Sequence, residues 1–464
     1  MKKFLALIFL IFLLLRAFPY LNNPVPLGYD AGIYLYEFLF FPNLPVWIKA
    51  DGFPPGLFAV FYPIIKLGIS PESLIIPISI LSQIALFFAV YFVSKKIFNE
   101  KIALLNTFLF SVSLIQFRTF WFYYVNNIFG LVFLLLAFYF LTKKNFLRSV
   151  LFAAILSYFH LPTFLIYCLT LIVLFIFDPP AGEAGRKNLA FNLKVFISTM
   201  IIFSIYYLSV FDITILRFLI PVLKSIAPYK LITTGTISSG GGTFYSLPIS
   251  FLMTAFYLPF AFIGFYISRK KKELKPFLIG AVLLFLMVVT GFFFSRRYFI
   301  PFDLLLIFFS GFGLNFVMEK YKSYKDVFSF YFLVLIIFIF AFVFKTGQPL
   351  ITKDVFNEIK NFKETKGYVL STSKEDSAWL LGYTKLKVIA WSFGGENKYW
   401  DNKQWQSFYG NDTGSLKITL LNKLPKPLYV FINDKQIVPL KNVIGDPCVK
   451  KLSPHFYQYT CNDK

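Results

Sequence analysis

Residues 327–345 read VFSFYFLVLIIFIFAFVFK, an apolar run whose only charged residue is its last. An α-helix needs about 20 such residues to cross about 30 Å of hydrocarbon. Runs of similar length recur along the chain from residue 4 onward. Inside a bilayer every backbone amide must be bonded within its own segment, so each crossing is a helix. The stretch and its repeats therefore predict an all-α polytopic membrane protein.

The composition supports this class, because 57% of the 464 residues are hydrophobic and the mean hydropathy is +0.67. Globular domains are usually about 45–50% apolar. We interpret the many phenylalanines as lipid-facing or packed between helices rather than as a site. The pattern predicts about eleven transmembrane helices, at residues 4–20, 73–94, 102–118, 122–141, 149–160, 162–177, 189–210, 246–268, 276–294, 298–318 and 327–345.

The net charge of +23 raises the question of nucleic-acid binding. The basic residues stand in short clusters between apolar runs, however, which is the pattern of cytoplasmic loops under the positive-inside rule. Membrane lipids with anionic headgroups suit the remaining charge, and we expect no nucleic acid as a partner. We predict an integral protein of the cell membrane with a cytoplasmic N-terminus and residues 346–464 outside. The clusters are Lys2-Lys3, Lys95-Lys96, Lys143-Lys144, Arg186-Lys187, Arg269 to Lys272, and Lys320 with Lys322 and Lys325.

The first apolar segment has two interpretations. Two lysines followed by an apolar stretch also begin a secretory signal peptide, which would be removed. No small-x-small cleavage site follows in RAFPYLNN, residues 16–23, and this favours a retained anchor.

Two of the predicted outer connections are long. Residues 20–72 contain two semi-apolar stretches, 31–41 and 53–69, which we expect to be helices at the outer interface. The second begins GFPPG, whose prolines suit a helix start. Residues 211–245 contain TTGTISSGGGTF, a Gly/Ser/Thr run typical of a mobile segment. It is either a lid over a site or a plain linker.

Residues 346–464 differ in character, because charged and polar residues mix there with short strand-like runs. We predict a small C-terminal α+β extracytoplasmic domain in this part and a transmembrane domain over residues 1–345. Its two cysteines, Cys448 and Cys461, either form a disulfide, which an outward-facing domain permits, or remain thiols. The predicted strands are 367–372, 386–391 and 427–433, after a helix at 354–363.

The stretch GYDAGIYLY, residues 28–36, places Asp30 between two glycines soon after the first span. Asp30 is either the N-cap of a helix over 31–41 or a general base that accepts a proton from an attacking hydroxyl. Tyr34 could pack on a sugar face or belong to an aromatic belt. Glu37 shares the helix face of Asp30, as a second carboxylate of the site or, as we favour, as the wet face of an interfacial helix. Asp51, just before GFPPG, is a further site carboxylate or, as we favour, a turn residue.

Polar residues at membrane depth are costly and tend to be functional. On the predicted topology several arginines fall on the outer side together with these carboxylates. SRRY opens a span, where Arg296 and Arg297 would join free amides and the helix dipole in an anion site suited to phosphate. The alternative is snorkelling to lipid headgroups, and Arg118 has the same two interpretations. His160, at an outer turn, is either structural or a contact for phosphate or a hydroxyl.

In their order and sidedness these motifs resemble the GT-C superfamily of membrane glycosyltransferases. That group includes the protein O-mannosyltransferases, the aminoarabinose transferase of lipid A and the catalytic subunit of oligosaccharyltransferase. GYDAGIYLY occupies the place of the family's acidic motif, and GFPPG resembles its Pro-Pro element. RTFWFYYVNN resembles an Arg-to-Asn stretch in the second outer loop, and LSYFHLPTFLIY a segment with a His at the outer end of a helix. SRRYFIPFDLLLIFFSGFGL resembles an Arg-rich start to a late span. The resemblance covers essentially the whole membrane part.

The resemblance implies transfer of a sugar from a polyprenyl-phosphate donor to an acceptor hydroxyl of a lipid, protein or surface glycan, on the outer face and with inversion. It implies that Asp30 is the base, and that Arg296 or Arg297, with Arg118, holds the phosphate. The metal-dependent oligosaccharyltransferase branch carries further acidic ligands in its second outer loop. This chain has none there, no Asp-x-Asp and no paired histidines. The departure favours a metal-independent hexosyl- or pentosyltransferase without a cofactor.

Two other functions stay open. A transporter or flippase of lipid-linked sugars predicts charges near the middle of the membrane and an internal repeat of spans. We find no clear repeat, and we place the charges at span ends. A non-catalytic scaffold would use the outer domain to bind a partner or a surface polymer.

Overall fold

The computed structural model describes residues 2–21, 24–44, 54–177, 182–207, 244–292, 295–373, 375–391, 395–396, 398–410, 413–433 and 441–461. Most of these residues lie in helices, and a small sheet forms near the C-terminus. The predicted helical class is confirmed at this level.

The helices of the apolar part follow one another along the chain. They are α1 (Lys2–Leu21), α2 (Asp30–Phe40), α3 (Gly56–Lys66), α4 (Pro71–Ile97), α5 (Glu100–Val112), α6 (Leu114–Trp121), α7 (Val125–Thr142), α8 (Phe146–Phe159), α9 (Leu161–Phe177), α10 (Gly182–Tyr207), α11 (Leu247–Thr254), α12 (Leu258–Ser268), α13 (Lys275–Val289), α14 (Ser295–Lys320) and α15 (Lys325–Thr346).

The remaining elements alternate helices with short strands. They are α16 (Lys353–Lys360), β1 (Tyr368–Ser371), α17 (Asp376–Tyr383), β2 (Lys387–Ile389), α18 (Asn402–Tyr409), α19 (Gly414–Asn422), β3 (Leu428–Phe431), α20 (Lys441–Ile444), β4 (Val449–Lys451) and β5 (Phe456–Tyr459).

Every one of the eleven predicted spans falls on a helix or on a bent pair of helices. Within the described residues, six helices are long and apolar enough to cross a membrane, or eight if each bent pair counts as one span. Three of the predicted spans correspond to shorter helices, α8, α9 and α13, of 14, 17 and 15 residues. A count of eleven crossings is therefore not confirmed.

Two predicted spans are broken rather than continuous. The segment 102–118 consists of α5 and α6, bent by 53°, and the segment 246–268 consists of α11 and α12, bent by 81°. Ser113 lies at the first break, where its hydroxyl accepts a hydrogen bond from the backbone N–H of Gln116 and caps α6. Pro259 lies in the first turn of α12, where its missing N–H costs nothing.

One compact unit comprises Met1–Phe18, Pro45–Pro63 and Pro77–Gly347. Its central helix is α14, the most buried of the candidate spans, which packs against α5, α12 and α13. The contact with α12 is backbone-close, because a Cβ on Gly264 would lie 1.9 Å from the carbonyl oxygen of Phe309. This packing supports the middle of α14, around Phe309.

A second compact unit comprises Pro19–Leu44, Ile64–Ile76 and Gln348–Lys464. Its five-stranded sheet has the order β2-β1-β3-β5-β4, with β2, β1 and β3 parallel and β5 and β4 antiparallel. The three predicted strands and the predicted helix at 354–363 are confirmed, while β4 and β5 were not predicted. The division of the chain at residues 345 and 346 stays a prediction.

The second unit also settles the state of the two cysteines. Cys448 and Cys461 form a disulfide, with Cα atoms 5.0 Å apart. The bond closes the β4–β5 hairpin beside the pair Val449 and Tyr459. Of the two states predicted from the sequence, the disulfide is the one found.

Candidate functional site

Arg118 lies on α6, the short helix that follows the break at Ser113. Its side chain is buried, and Nη1 donates to the carbonyl oxygen of Thr346 at 3.1 Å. The guanidinium carbon lies 4.5 Å from the ring centroid of Trp121 and 4.9 Å from that of Phe342, so two rings partly compensate its charge. Within the described residues its Nε has no hydrogen-bond partner. This N–H is a donor that an anion could use.

Tyr245, just before α11, is a further contact of Arg118. Its ring centroid lies 5.7 Å from the guanidinium carbon. Burial raises the pKa of the Tyr245 hydroxyl, although the positive charge of Arg118 opposes the rise. The hydroxyl therefore stays protonated at neutral pH and can itself donate.

A chain of ring contacts leads from Tyr245 to a second arginine. The ring centroids of Tyr245 and Phe122 are 6.1 Å apart, and Phe122 stacks on Tyr124 at 5.5 Å with an angle of 14° between the rings. The guanidinium carbon of Arg297 lies 4.8 Å from the centroid of Tyr124. These five residues, which we call the arginine–aromatic cluster, join α6 to the start of α14: Arg118, Phe122, Tyr124, Tyr245 and Arg297.

The turn between α6 and α7 supplies two rings of this cluster and is strained. Tyr124 N–H donates to the carbonyl of Thr119 at 3.1 Å, and Tyr123 N–H to that of Phe120 at 2.9 Å, the pattern that closes a helix with a left-handed residue. That residue is Tyr123, with φ +66°, where glycine is usual. A side chain in this conformation costs about 1–2 kcal/mol. Strain of this kind concentrates at functional sites.

His160 ends α8 next to the cluster. Its Nδ1 accepts a hydrogen bond from the backbone N–H of Thr163 at 3.3 Å and lies 2.6 Å from the hydroxyl of the same residue. The backbone bond assigns the imidazole proton to Nε2, which is then a donor. Arg297 is near enough to act electrostatically on the ring. Gly130 leaves room for it, since a Cβ there would lie 2.6 Å from the Cβ of His160.

The two arginines of SRRY differ in their surroundings. Arg296 is exposed, whereas Arg297 is partly buried against Tyr124. The hydroxyl of Tyr298, the next residue in the chain, is buried. The Oδ1 atom of Asn127, in the first turn of α7, is buried as well. Neither atom has a hydrogen-bond partner in the described part of the chain. Buried polar atoms are nearly always paired, so these two suit a polar ligand.

Asp30 belongs to the second unit, where it is the first residue of α2. The N-cap is Tyr29, and no side chain caps this helix end, so the interpretation of Asp30 as the N-cap is wrong. Gly28, with φ +69°, makes the turn before the helix and lets α2 begin one residue earlier than predicted. The half-buried carboxylate of Asp30 therefore lies in the first turn, where the helix dipole favours its charged form.

Two other predicted residues of α2, Tyr34 and Glu37, are both buried, with Glu37 only 8% exposed. The preferred interpretation of Glu37 as the wet face of an interfacial helix is therefore wrong. The reason is that α2 packs along α17. On the same helix, burial and then the carboxylate of Glu396 raise the pKa of the Tyr36 hydroxyl.

Other predicted features lie outside the described residues. Asp51 is one of them, and so is most of the predicted lid or linker, up to residue 243. Within the described ranges, no group of three or more His, Cys, Asp or Glu side chains could hold a metal ion.

We compared the sequence and the fold with those of known proteins. No protein-family model and no curated protein matches the sequence. Solved structures do match. The apo oligosaccharyltransferase of Archaeoglobus fulgidus superposes with a TM-score of 0.58 at 13% identity, over 94% of this chain and 70% of that chain. This chain has the fold of the GT-C membrane glycosyltransferases.

Two further structures of the archaeal enzyme agree. One, tethered with an acceptor peptide that contains an NVT sequon, matches with a TM-score of 0.60 at 14% identity, over 94% of this chain and 69% of that chain. Another, AglB in complex with an inhibitory peptide and a dolichol-phosphate, matches with a TM-score of 0.59 at 13% identity, over 93% and 69%. The resemblance to the GT-C superfamily is thus confirmed as a likeness of fold.

Sequence reasoning found the charged residues of the candidate site but not their surroundings. The sequence did not indicate the aromatic residues of the cluster, Phe122, Tyr124 and Tyr245. The chain has 64 phenylalanines and 28 tyrosines, so three of them do not stand out. A usable signal was present in RTFWFYYVNN, where five aromatic residues separate Arg118 from two asparagines. So dense an aromatic stretch between polar residues suits a dry anion site better than a lipid-facing helix.

Proposed function

We propose that this protein is a GT-C glycosyltransferase that moves a sugar from a polyprenyl-phosphate donor to an acceptor hydroxyl on the outer face of the membrane, with inversion and without a metal. The arginine–aromatic cluster is the observation that carries the proposal. It gathers two guanidinium groups and a neutral hydroxyl around rings, in a chain with the fold of an oligosaccharyltransferase.

The cluster is suited to the phosphate of the donor. Arg118 offers its unused Nε–H, and Arg297 and the Nε2–H of His160 offer further donors near the N-terminal end of α14. Free amides and the dipole at a helix start add to the attraction for an anion. Aromatic rings exclude water, so each charge acts through a lower dielectric. These groups stabilise the charge that develops on the departing phosphate.

Asp30 is proposed as the general base. It takes the proton of the acceptor hydroxyl while that oxygen forms a bond to the anomeric carbon. The bond from the anomeric carbon to the phosphate oxygen breaks, and the polyprenyl phosphate leaves with both electrons. The transition state resembles the oxocarbenium ion of glycoside hydrolysis. Tyr34, Glu37, Asp51 and Arg296 stay predictions for further contacts to donor or acceptor.

The solved neighbours suggest which substrates to try. One carries a dolichol-phosphate and another an acceptor peptide. We therefore propose a dolichyl or related polyprenyl carrier, and we include peptides among the acceptors beside lipids and surface glycans. The N-terminus is proposed to be cytoplasmic and the C-terminal part extracytoplasmic, in the cell membrane.

The test is release of free polyprenyl phosphate by the protein in lipid nanodiscs. Wild type and Asp30→Asn are offered a panel of polyprenyl-phosphate sugars with lipid, glycan and peptide acceptors, with and without a chelator. We expect release by the wild type alone, unchanged by the chelator. Full activity of Asp30→Asn would contradict the assignment of Asp30 as the base. Loss of activity with the chelator would contradict a metal-independent reaction.

One observation favours a second candidate, a flippase of lipid-linked sugars. Two of the candidate spans are broken helices, and transporters often bind their substrates at such breaks. Sealed proteoliposomes loaded with a polyprenyl-phosphate sugar separate the two functions. Movement of the lipid between leaflets without chemical change would favour the flippase, and free polyprenyl phosphate would favour the transferase.

A further inference from the structure

Two charged side chains are fully buried in the first unit away from the arginine–aromatic cluster. Arg16 lies on α1 and Asp303 on α14, and both are 0% exposed. No ion pair joins either of them to another residue in the described ranges. A charge at membrane depth is expensive unless something compensates it. The structure shows what does so.

Asp303 is bound by the start of α6. Its carboxylate accepts hydrogen bonds from Ser113 Oγ at 3.0 Å and from Gln116 Nε2 at 2.8 Å. Ser113 is the N-cap of α6, and Gln116 lies in its first turn. Asp303 thus faces the N-terminal end of that helix, which carries about half a positive charge.

Arg16 is bound by the end of α5. Its Nη1 donates to the carbonyl oxygen of Ser111 at 3.3 Å, in the last turn of that helix, and its Nε donates to Gln83 Oε1 at 3.3 Å. The C-terminal end of a helix carries about half a negative charge. The rings of Phe12 and Phe117, 5.0 and 5.5 Å from the guanidinium carbon, add to the compensation.

The break at Ser113 therefore separates two helix ends of opposite sign, and a buried charge of the matching sign lies at each. A continuous helix would have neither end at this depth. Arg16 and Asp303 would then lose the part of their compensation that comes from the helix ends, and keep only side-chain hydrogen bonds and ring contacts. The two charges favour the broken arrangement, and with it the 53° bend that sets the direction of α6.

Asp303 also reaches the second break. The hydroxyl of Tyr257, between α11 and α12, donates to the same carboxylate. Ser310, also on α14, donates to the backbone carbonyl of Tyr257 at 3.0 Å. The segment before α11 carries Tyr245, which contacts Arg118. The carboxylate of Asp303 is thus bonded both to the start of α6, which carries Arg118, and to the residue that follows α11, the helix that Tyr245 precedes.

We propose that Asp303 and Arg16 are positioning residues: they fix the break at Ser113 so that α6 presents Arg118 to the arginine–aromatic cluster. Neither residue touches the donor in this proposal. The effect on donor binding rests on the proposed function, whereas the effect on the direction of α6 does not. The two can be measured separately.

The structural test uses Trp121, the α6 residue whose ring lies 4.5 Å from the Arg118 guanidinium carbon. The full chain is labelled with 5-fluorotryptophan, placed in nanodiscs and observed by fluorine NMR, with Trp121→Phe to assign the signal. We expect Asp303→Asn and Arg16→Gln to shift or broaden the Trp121 signal and to leave those of the other tryptophans unchanged. Asp326→Asn, the same substitution at an exposed carboxylate on α15, is the matched control and should change nothing.

Ser113→Ala and Arg16→Lys are milder variants that keep the experiment informative if a charge-removing variant does not fold. Ser113→Ala removes one bond to Asp303 and should move the Trp121 signal in the same direction, by less. Arg16→Lys keeps the charge and should restore most of the wild-type spectrum. An unchanged Trp121 signal in every folded variant would overturn the proposal.

The kinetic test separates positioning from general destabilisation. We expect Asp303→Asn to raise the KM for the polyprenyl-phosphate donor about tenfold, because Arg118 binds the donor phosphate, with a smaller fall in kcat because the departing phosphate is less well stabilised. A fall in kcat alone would overturn the link to donor binding. If the wild type shows no transfer at all, the proposed function fails, while the fluorine spectra still decide whether Asp303 and Arg16 direct α6.

Discussion

Gly32 and Gly382 meet backbone to backbone between α2 and α17. A Cβ on Gly32 would lie 2.0 Å from the carbonyl oxygen of Ala378, and one on Gly382 would lie 2.3 Å from the carbonyl oxygen of Gly32. Only glycine allows so close an approach of two helices. Asp30 precedes Gly32 by two residues on α2, so the contact with α17 helps to determine where the proposed base is held.

Gly32→Ala should therefore reduce transfer through position rather than chemistry. We expect a loss of stability of about 1–3 kcal/mol from overpacking. A displacement of the base by about 1 Å would lower kcat about 100-fold. The measurement is polyprenyl-phosphate release together with thermal unfolding. Gly445→Ala is the control, because a Cβ there meets nothing within 4 Å. Wild-type turnover by Gly32→Ala would show that α17 does not position Asp30.

The membrane helices could be predicted from the sequence because hydrophobic length is a local property. The run 327–345 is apolar up to its last residue, and it lies within one continuous helix, α15. The break at Ser113 could not be predicted, because a serine in an apolar run can also stay helical by bonding to the preceding turn. In the proposal above, the helix breaks at Ser113 because of Asp303, which lies 190 residues further along the chain.

The candidate site could be predicted in its charges and not in its contacts. Arg118, Arg297 and His160 stand out because ionisable groups are rare in apolar segments. The burial of Glu37 depends on α17, which lies far along the chain, so the period of α2 alone gave the wrong surroundings. Strands β4 and β5 were missed because they are short, and two of the three residues of β4 are lysines.

The difference between the two SRRY arginines leads to a second prediction. Arg297→Ala removes a cation that rests on Tyr124, whereas Arg296→Ala removes an exposed one. A charge-assisted hydrogen bond to the donor phosphate contributes about 1.5–3 kcal/mol. We expect the donor KM to rise about 10- to 100-fold for Arg297→Ala and less than about fivefold for Arg296→Ala. Equal effects of the two substitutions would contradict the assignment of Arg297 to the cluster.

Two left-handed residues that are not glycine give a third prediction, with opposite signs. Lys144 ends α7 at φ +52° with an exposed side chain, so Lys144→Gly should relieve strain and stabilise the protein by about 0.5–1 kcal/mol. Tyr123 has φ +66° but a fully buried ring. Tyr123→Gly should destabilise by about 3–5 kcal/mol. Thermal unfolding in nanodiscs measures both, and a stabilising Tyr123→Gly would show that its ring packs poorly.

The fourth prediction concerns Glu358, which ties α16 to the turn between β4 and β5. Its Oε2 lies 2.6 Å from Nδ1 of His455, and its Oε1 accepts from the backbone N–H of His455 at 2.9 Å and from the hydroxyl of Ser453. Burial alone would raise the pKa of this carboxyl. The hydrogen bonds from His455 and Ser453 outweigh burial, and the pKa of Glu358 lies below its ordinary value.

A lowered pKa in the folded state means that the unfolded chain binds the proton more tightly. Glu358 therefore stabilises the protein above the unfolded pKa of about 4.3, and this stabilisation is lost as the pH falls through the lower folded value. At pH 7 we expect Glu358→Gln to weaken protection of the β4–β5 hairpin by about 1–3 kcal/mol. Hydrogen exchange of the hairpin amides, corrected for intrinsic rates, measures it. Asp354→Asn, at an exposed carboxylate on the same helix, should have a much smaller effect. A deficit in Glu358→Gln that stays constant down to pH 3 would mean that the carboxylate charge contributes nothing to this contact.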